Sequence, residues 1–205
     1  MTIRAVVFDI GGVLEITPDL GVGAKWEQQL HLKPGELDER LSSVWRGGSL
    51  GTLAEEQVHT SIGKLLGMSE TQVNAFMDDV WQEYLGTLNV ELAEYLRSLR
   101  SQYQTAILSN SFVGARRKEQ ERYHFDEMCD LIIYSHEVGM SKPDRRIYEL
   151  TCERLGVQPA QVVFLDDHEP CIVAAREFGM HAILFQETSQ AIADIQVCIQ
   201  AQRGA

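Results

Sequence analysis

Five short apolar segments, spread along the whole chain, most constrain what this sequence can fold into. They occupy residues 3–10 (IRAVVFDI), 103–110 (YQTAILSN), 131–135 (LIIYS), 162–167 (VVFLDD) and 181–185 (HAILF). Each is nearly continuous in apolar residues, whereas a half-exposed strand would alternate apolar with polar residues. Continuous runs are typical of parallel strands that helices cover on both faces. The sequence therefore predicts five buried strands of one parallel sheet.

Helical patterns separate these strands. Asn89 is predicted to cap one helix, Pro143 is predicted to lie in the first turn of a second helix, and Gly156 and Gly179 are predicted to end two helices. Strand and helix then alternate along most of the chain. This alternation predicts an α/β fold with a doubly wound, Rossmann-like parallel sheet.

Residues 15–88 interrupt the alternation, because they carry helix signals and no convincing strand. Capping-box patterns begin at Thr52 and at Ser69, each ahead of an apolar helical stripe. This is too much helix for a single crossover between neighbouring strands. We therefore predict a catalytic α/β core of residues 1–14 and 89–205. Residues 15–88 are predicted to form an inserted all-helical cap subdomain over the carboxyl edge of the sheet.

The net charge restricts the partners of the protein. Lys and Arg number 18 and Asp and Glu number 30, which gives a formal charge of −12. Such a field repels polyanions, so we expect no binding to nucleic acid or to an anionic membrane. No apolar run approaches the roughly 18 residues of a membrane span, and the four cysteines include no C-x-x-C pair. We expect a reduced, cytoplasmic protein.

Polar side chains follow three of the predicted strands. Asp9 lies near the end of the first, Ser109 and Asn110 end the second, and Asp166 and Asp167 end the fourth. Ligands of open parallel sheets bind outside the carboxyl ends of the strands, so these side chains are expected to share one edge. Crowded carboxylates repel one another unless a cation lies between them, and oxygen ligands favour a hard ion. The sequence therefore predicts a Mg²⁺ site at this edge.

Four motifs occur in a fixed order: FDIGGVL (8–14), LSN (108–110), VGMSKPDRRIYELTCERLG (138–156) and VVFLDDHEPCIVAAREFGM (162–180). Together they resemble the haloacid dehalogenase superfamily, which consists mostly of phosphatases. The opening motif is similar to those of sugar-phosphate phosphatases and of the amino-terminal phosphatase domain of soluble epoxide hydrolase. The resemblance covers nearly the whole predicted core. It implies a Mg²⁺-dependent hydrolase that acts on a small phosphorylated metabolite.

The resemblance also implies catalytic and substrate-binding roles. Asp9 would be the nucleophile that becomes an aspartyl-phosphate. Lys142 would neutralise the charge that gathers during phosphoryl transfer. Ser109, a catalytic residue in this scheme, would bind the phosphoryl oxygens together with Asn110 and Gly12.

The implied metal ligands lie on the first and fourth motifs. Asp9, the carbonyl of Gly11 and Asp167 would bind Mg²⁺. Asp166 would complete the metal site by holding Lys142 or a water on the metal. The glycines after Asp9 leave the backbone free to turn tightly there.

Gly11 departs from the pattern of the superfamily. Most of its phosphatases have a second Asp at this position, which protonates the leaving group and then activates water. Loss of a general acid–base lowers rates by about 10²–10⁴-fold. Three explanations are open: a substrate with a good leaving group, such as an anomeric or acyl phosphate; a proton supplied by His31 or His59 of the cap; or a nearly inactive protein.

Two other functions are compatible with these motifs. A metal-independent 2-haloacid dehalogenase-like hydrolase would use the same Asp9 nucleophile, although a metal-free site gains nothing from the doubled Asp166 and Asp167. A catalytically silent binding or regulatory protein would keep the fold, and Gly11 supports that alternative. No motif identifies the substrate or the oligomeric state.

Two further features lie outside the motifs. Residues 115–122 (ARRKEQER) are predicted to form a solvated helix face in preference to a phosphate-binding patch. Trp26, Trp45 and Trp81 are predicted to pack the cap, with one of them as an alternative candidate for a wall of the substrate pocket.

Overall fold

A computed structural model describes residues 2–201 of the 205-residue chain. Its elements follow one another in the order β1 (Ala5–Phe8), β2 (Glu15–Ile16), α1 (Val22–Gln29), α2 (Glu36–Ser49), α3 (Glu55–Leu66), α4 (Glu70–Leu85), β3 (Thr87–Leu88), α5 (Val90–Leu99), β4 (Gln104–Ser109), α6 (Ala115–Tyr123), β5 (Leu131–Tyr134), α7 (Ser135–Val138), α8 (Arg145–Leu155), β6 (Val162–Asp166), α9 (Glu169–Phe178), β7 (His181–Leu184) and α10 (Thr188–Ala201). Short 3₁₀ turns at Phe125–Glu127 and Pro159–Gln161 precede β5 and β6.

The five predicted strands form one parallel sheet with the order β5-β4-β1-β6-β7. No strand end lies more than two residues from its predicted position. β1 is central, and its Phe8 pairs with Ile107 of β4 and Leu165 of β6. The chain builds the sheet outward from β1 in one direction through β4 and β5, and then in the other direction through β6 and β7. The predicted doubly wound α/β fold is therefore confirmed.

Successive residues of β1 point to opposite faces of the sheet. Val6 and Phe8 belong to a buried layer with α5 and α10, whereas Ala5 and Val7 belong to a second layer with α8 and α9. All four side chains are at most 1% exposed. Burial on both faces is the physical reason why the strands are continuous apolar runs in the sequence.

Several predicted helix ends are confirmed. The Asn89 Oδ1 atom accepts a hydrogen bond from the Leu92 backbone N–H at 3.2 Å, and the Ser69 side chain caps α4. Gly156 and Gly179 follow α8 and α9 in the left-handed conformation.

Two predicted helix starts are wrong. α3 begins after Ala54 and not at a capping box on Thr52, because the Gln57 side chain accepts the Ala54 backbone N–H at 2.8 Å. α8 begins after Asp144, whose side chain accepts a first-turn N–H at 2.9 Å, so Pro143 lies outside the helix. In both cases a nearer side-chain acceptor determines where the helix begins.

Helices α1 to α4, here called the inserted helices, occupy most of residues 15–88. Their apolar side chains, including Leu41, Ile62 and Phe76, form a buried cluster separate from the two layers of the sheet. The prediction of no strand in this region is wrong, because β2 and β3 pair antiparallel with Ile16 opposite Thr87. This pair ties together the two points where the chain leaves and re-enters the sheet. Strands of two residues are too short to give a period-2 pattern.

The prediction of a solvated face for residues 115–122 is wrong for one charged residue. Glu119 on α6 is fully buried, and the Tyr134 hydroxyl donates a hydrogen bond to it. Burial raises the pKa of Glu119 to about 7, although the Tyr134 and Tyr84 hydroxyls oppose this shift. Burial and the nearby Glu119 likewise raise the pKa of Glu15 to about 9. A charged run can hide a buried acid because only part of the helix surface meets solvent.

Among residues 2–201, no helix combines the length and apolar character needed to cross a bilayer. The four cysteines are free thiols. Three of them are buried, and Cys198 is half-buried.

Candidate active site

The carboxyl ends of β1, β4 and β6 meet at one edge of the sheet. Asp9 directly follows β1, while Ser109 and Asp166 are the last residues of β4 and β6. Because β1 lies between the other two strands, Asp9 lies between Ser109 and Asp166. The Asp9 backbone N–H donates to the Leu165 carbonyl at 2.9 Å, which continues the pairing of β1 with β6.

A buried lysine bridges two of the carboxylates at this edge. The Lys142 Nζ atom lies 2.7 Å from Asp9 Oδ1 and 2.7 Å from Asp166 Oδ2. Its side chain is only 1% exposed. Burial by itself favours the neutral amine, but the carboxylates of Asp9 and Asp166 outweigh it and raise the pKa of Lys142. The site therefore holds a fixed positive charge against Asp9.

Asn110 positions this lysine through its backbone. The Asn110 Nδ2 atom donates to the Lys142 carbonyl at 2.8 Å, and its Oδ1 atom accepts the Lys142 backbone N–H at 2.8 Å. The sequence assigned Asn110 to the phosphoryl group, whereas in the structure its amide holds the loop that carries Lys142. Ser109, the other polar residue at the end of β4, is 2% exposed.

The two oxygens of the Asp9 carboxylate have different surroundings. Oδ1 contacts Lys142 and accepts the Ile10 backbone N–H at 2.8 Å. Oδ2 accepts no hydrogen bond from any residue between 2 and 201, so it is available to a substrate or a metal ion. Burial raises the pKa of Asp9 to about 7, with Lys142 opposing the shift and Asp166 adding to it. The ionised form of Asp9 therefore needs further positive charge.

The three carboxylates form a candidate metal site. One oxygen each of Asp9, Asp166 and Asp167 lie within 4.8 Å of one another. Both oxygens of Asp166 have partners, since Oδ2 binds Lys142 and Oδ1 accepts the His168 backbone N–H at 2.8 Å. Asp167 is exposed, and within the described part of the chain no other residue donates a hydrogen bond to its carboxylate.

The carboxylate oxygens of this site fit a hard cation. One lysine ammonium faces three carboxylates, so a dication would balance the remaining charge. The atoms that could bind a metal here are all oxygens, the ligand type that Mg²⁺ prefers. Although Asp167 as a whole residue is exposed, partial desolvation of its carboxylate and the negative charge of the adjacent Asp166 raise its pKa.

The two glycines after Asp9 differ in what a side chain would meet. Gly12 has a φ of +73°, and a Cβ atom there would lie 2.0 Å from Asp167 Oδ2. Gly11 is exposed, and a Cβ atom there would meet nothing within 4 Å. Gly12 therefore permits the close approach of Asp167, whereas Gly11 has open space beside it.

Replacing Gly12 with alanine is expected to destabilise the protein by at least about 1–2 kcal/mol, the cost of the left-handed conformation. At about 2–4 °C per kcal/mol for a chain of this length, Tm should fall by several degrees without added metal. The substitution should also displace Asp167 and weaken Mg²⁺ binding in a calorimetric titration. Gly11→Ala is the matched control and should change stability by less than about 0.5 kcal/mol. Equal Tm values for the two variants would contradict this account.

A serine–histidine contact beside Asn110 matches none of the sequence motifs. Ser111 Oγ lies 2.6 Å from His136 Nδ1, and the Ser111 backbone N–H donates to Ser135 Oγ at 2.9 Å. Burial lowers the pKa of His136, which favours its neutral form. The sequence carries one signal for this pair: His136 follows the carboxyl end of β5, at the same edge as the other strand ends.

The two histidines considered as proton donors lie elsewhere. His31 is exposed just after α1. His59 is on α3 and lines a cavity of about 590 Å³ with residues of α3, α4 and the loop between them, including Met68 and Asn74. Neither His31 nor His59 lines a second cavity, of about 270 Å³, that lies beside Asn110. Helical periodicity does not show how the inserted helices are oriented over the sheet, so it did not exclude these residues.

A cavity of about 270 Å³ lies between two inserted helices and the loop after β4. Its walls are Trp45 and Ser49 of α2, Val80, Trp81 and Tyr84 of α4, and Asn110, Ser111 and Phe112 of the loop. The Phe112 ring lies with its centroid 5.7 Å from that of Trp45 and 6.2 Å from that of Trp81. Trp26 instead packs edge-on against Phe76 at 5.4 Å.

Comparisons with known proteins cover nearly the whole chain. A family model described as a hydrolase, haloacid dehalogenase-like hydrolase, matches residues 3–179. D-ribitol-5-phosphate phosphatase of Bacteroides thetaiotaomicron is 28% identical over 86% of this chain and 89% of its own length. Bifunctional epoxide hydrolase 2 of Sus scrofa is 26% identical over 96% of this chain, which spans only 39% of that protein. (S)-2-haloacid dehalogenase 1 of Pseudomonas sp. is 27% identical over 88% of this chain and 83% of its own length.

A solved structure has the same architecture. It is an enzyme of the HAD family from Bacteroides thetaiotaomicron, in complex with magnesium and inorganic phosphate. It aligns with a TM-score of 0.77 and 20% identity over 92% of this chain and 98% of that one. At this level of identity, the likeness concerns the fold alone.

Proposed function

The chain belongs to the haloacid dehalogenase-like hydrolases, and from that premise we propose that it is a Mg²⁺-dependent phosphatase of a small phosphorylated metabolite. One observation carries the proposal: Asp9 has one oxygen paired with the buried Lys142 and a second oxygen free, beside further carboxylates. The similarity to D-ribitol-5-phosphate phosphatase supports the choice of a phosphate ester.

In the proposed reaction the free oxygen of Asp9 attacks phosphorus in line, and the bond from phosphorus to the alcohol oxygen breaks. The product is an aspartyl-phosphate, and the departing alkoxide takes a proton from solvent. Water then hydrolyses the acyl phosphate, which releases inorganic phosphate and restores the Asp9 carboxylate. Lys142 offsets the negative charge of the transferring group, while Ser109 and Gly12 bind its oxygens.

Mg²⁺ would be held by Asp9, the Gly11 carbonyl and Asp167. When bound, the ion supplies positive charge beside the carboxylates and the phosphoryl oxygens. Asp166, whose two oxygens already have partners, keeps Lys142 in place. The inserted helices act as a cap, residues 15–88, that excludes water from the site.

The proposed site lacks an evident donor of the proton that an alcohol leaving group needs. Gly11 has no side chain to supply it, so we expect the fastest turnover with leaving groups that need no protonation. An acyl phosphate such as acetyl phosphate meets this condition.

Phosphate release from acetyl phosphate, glucose 1-phosphate and glucose 6-phosphate tests the proposal. With Mg²⁺ we expect turnover that is fastest on acetyl phosphate. With EDTA we expect a loss of at least about 10²-fold that added Mg²⁺ restores.

Two other results would point to the alternative functions. Chloride release from 2-chloropropionate that survives EDTA would identify a dehalogenase, in line with the haloacid dehalogenase relative. Thermal stabilisation by phosphate without turnover of any ester would identify a silent binding protein.

A further inference from the structure

The 270 Å³ cavity adjoins the candidate active site. Asn110 lines it and directly follows Ser109 at the end of β4. The amide of Asn110 also holds the backbone of Lys142, whose ammonium touches Asp9 at 2.7 Å. A phosphate ester that places its phosphorus against the free oxygen of Asp9 would therefore have its leaving group directed toward this cavity.

The walls of the cavity are largely aromatic. Trp45, Trp81, Tyr84 and Phe112 contribute four rings, and no lining residue carries a charge. The Trp81 ring stands edge-on to Tyr84 at a centroid distance of 5.2 Å. Aromatic walls of this kind favour apolar ligands and give a charged or heavily hydroxylated group few partners.

The polar side chains of the cavity are mostly paired within the protein. The Asn110 amide binds the Lys142 backbone, and the Ser111 hydroxyl contacts His136 at 2.6 Å. The Tyr84 hydroxyl interacts with Glu119. Within residues 2–201, the Ser49 hydroxyl and the indole N–H groups of Trp45 and Trp81 are the lining groups that form no hydrogen bond. A sugar or polyol would bring several hydroxyl groups into a space with few free partners, and each unpaired hydroxyl weakens binding.

We propose that the leaving group is small and apolar, carbocyclic or branched, and not a sugar or polyol; this rests on the proposed phosphatase function. The cavity, at about 270 Å³, is larger than the roughly 150 Å³ that encloses a benzene ring. Its volume is just below the usual range of ligand pockets, which is about 300–1,000 Å³. Its size fits one ring or a short branched chain.

Cyclohexylmethyl phosphate and glucose 6-phosphate form the decisive pair. Both are primary alkyl phosphates on a six-membered ring, so the leaving-group reactivity is similar and the ring hydroxyls are the main difference. Each is measured as a competitor of acetyl phosphate hydrolysis, which needs no turnover of the ester itself. We expect the inhibition constant of cyclohexylmethyl phosphate to be at least about tenfold lower.

Cavity variants connect this preference to the proposed pocket. Val80→Phe would fill the space and should raise the inhibition constant of cyclohexylmethyl phosphate at least about tenfold relative to that of inorganic phosphate. Phe112→Ala, which removes a wall, should weaken the same preference if Val80→Phe fails to fold. Val90→Phe, at a position 62% exposed on α5, is the matched control and should leave both constants unchanged.

The outcomes separate this inference from the function on which it rests. No Mg²⁺-dependent hydrolysis of acetyl phosphate would reject both. Hydrolysis of acetyl phosphate with equal or tighter binding of glucose 6-phosphate would reject the apolar leaving group alone. A preference for cyclohexylmethyl phosphate that survives in both cavity variants would also reject it, because the ester would then bind elsewhere.

Discussion

Asp9→Asn is expected to release phosphate from acetyl phosphate about 10⁴-fold or more slowly than the unchanged protein. The amide has nearly the same shape as the carboxylate, but its oxygen is a poor nucleophile and forms no stable phosphoryl ester. Initial rates with saturating Mg²⁺ measure the loss. Rapid quenching with radiolabelled substrate should trap a base-labile phosphoprotein only when Asp9 is present.

The loss of activity should occur without a loss of stability. A carboxyl whose pKa is higher in the folded state than in the unfolded chain destabilises the fold once the pH exceeds its unfolded pKa. Burial raises the pKa of Asp9 to about 7, so its ionised form opposes folding at neutral and higher pH when no metal is bound. Asn at this position removes that cost, and the variant in EDTA should have a Tm no lower than that of the parent.

Asp38→Asn is the matched control for this experiment. Asp38 is an exposed aspartate in the first turn of α2, and its replacement should change the rate by less than about twofold. Comparable phosphate release by Asp9→Asn and Asp38→Asn would remove Asp9 from the role of nucleophile.

Gly11→Asp is expected to increase the rate on alkyl phosphates by up to about 10²-fold, the lower part of the range for general acid–base catalysis. The position has room, because a Cβ atom there meets nothing within 4 Å and the residue does not have the left-handed conformation of Gly12. The rate on acetyl phosphate should change far less, since its leaving group needs no proton. The measured quantity is the ratio of kcat on cyclohexylmethyl phosphate to kcat on acetyl phosphate.

Gly11→Asn separates proton transfer from shape. Asparagine has nearly the same size as aspartate but does not donate and accept a proton in this way, so its ratio should stay at the parental value. Equal ratios for the two variants would indicate that the leaving-group proton comes from another donor. His136, which contacts Ser111 beside Asn110, would then be a candidate for that donor.

Elements with a local cause were the most predictable parts of the fold. The strands followed from burial on both faces, and Ser69 and Asn89 capped their helices because a side-chain acceptor sits where the first N–H groups need it. The predicted start of α3 at Thr52 was wrong because the Gln57 side chain offers a competing acceptor to the Ala54 backbone N–H. The prediction that Glu119 is solvated failed because the burial of this side chain depends on Tyr134 of β5, a residue from a different part of the chain.

In the candidate site, too, features with a local cause were predictable and contacts between distant segments were not. Asp9, Asp166 and Asp167 were predictable as neighbours, because parallel strands bring their carboxyl ends to one edge whatever the loops do. The bond between Asn110 and the Lys142 backbone was not, because it depends on how two loops meet. The apolar cavity was not predictable either, since it forms only where the inserted helices meet the loop after β4.

By itself the sequence determined the α/β class, the strand ends that carry acidic side chains and the family of the chain. These properties depend on local pattern and on residues whose chemistry is the same in any loop conformation. Only the tertiary structure decided which oxygen of Asp9 is free, that Asn110 holds Lys142, and which tryptophans line a pocket. Those properties arise from contacts between segments far apart in the chain, and the geometry of such contacts is set by packing and not by local pattern.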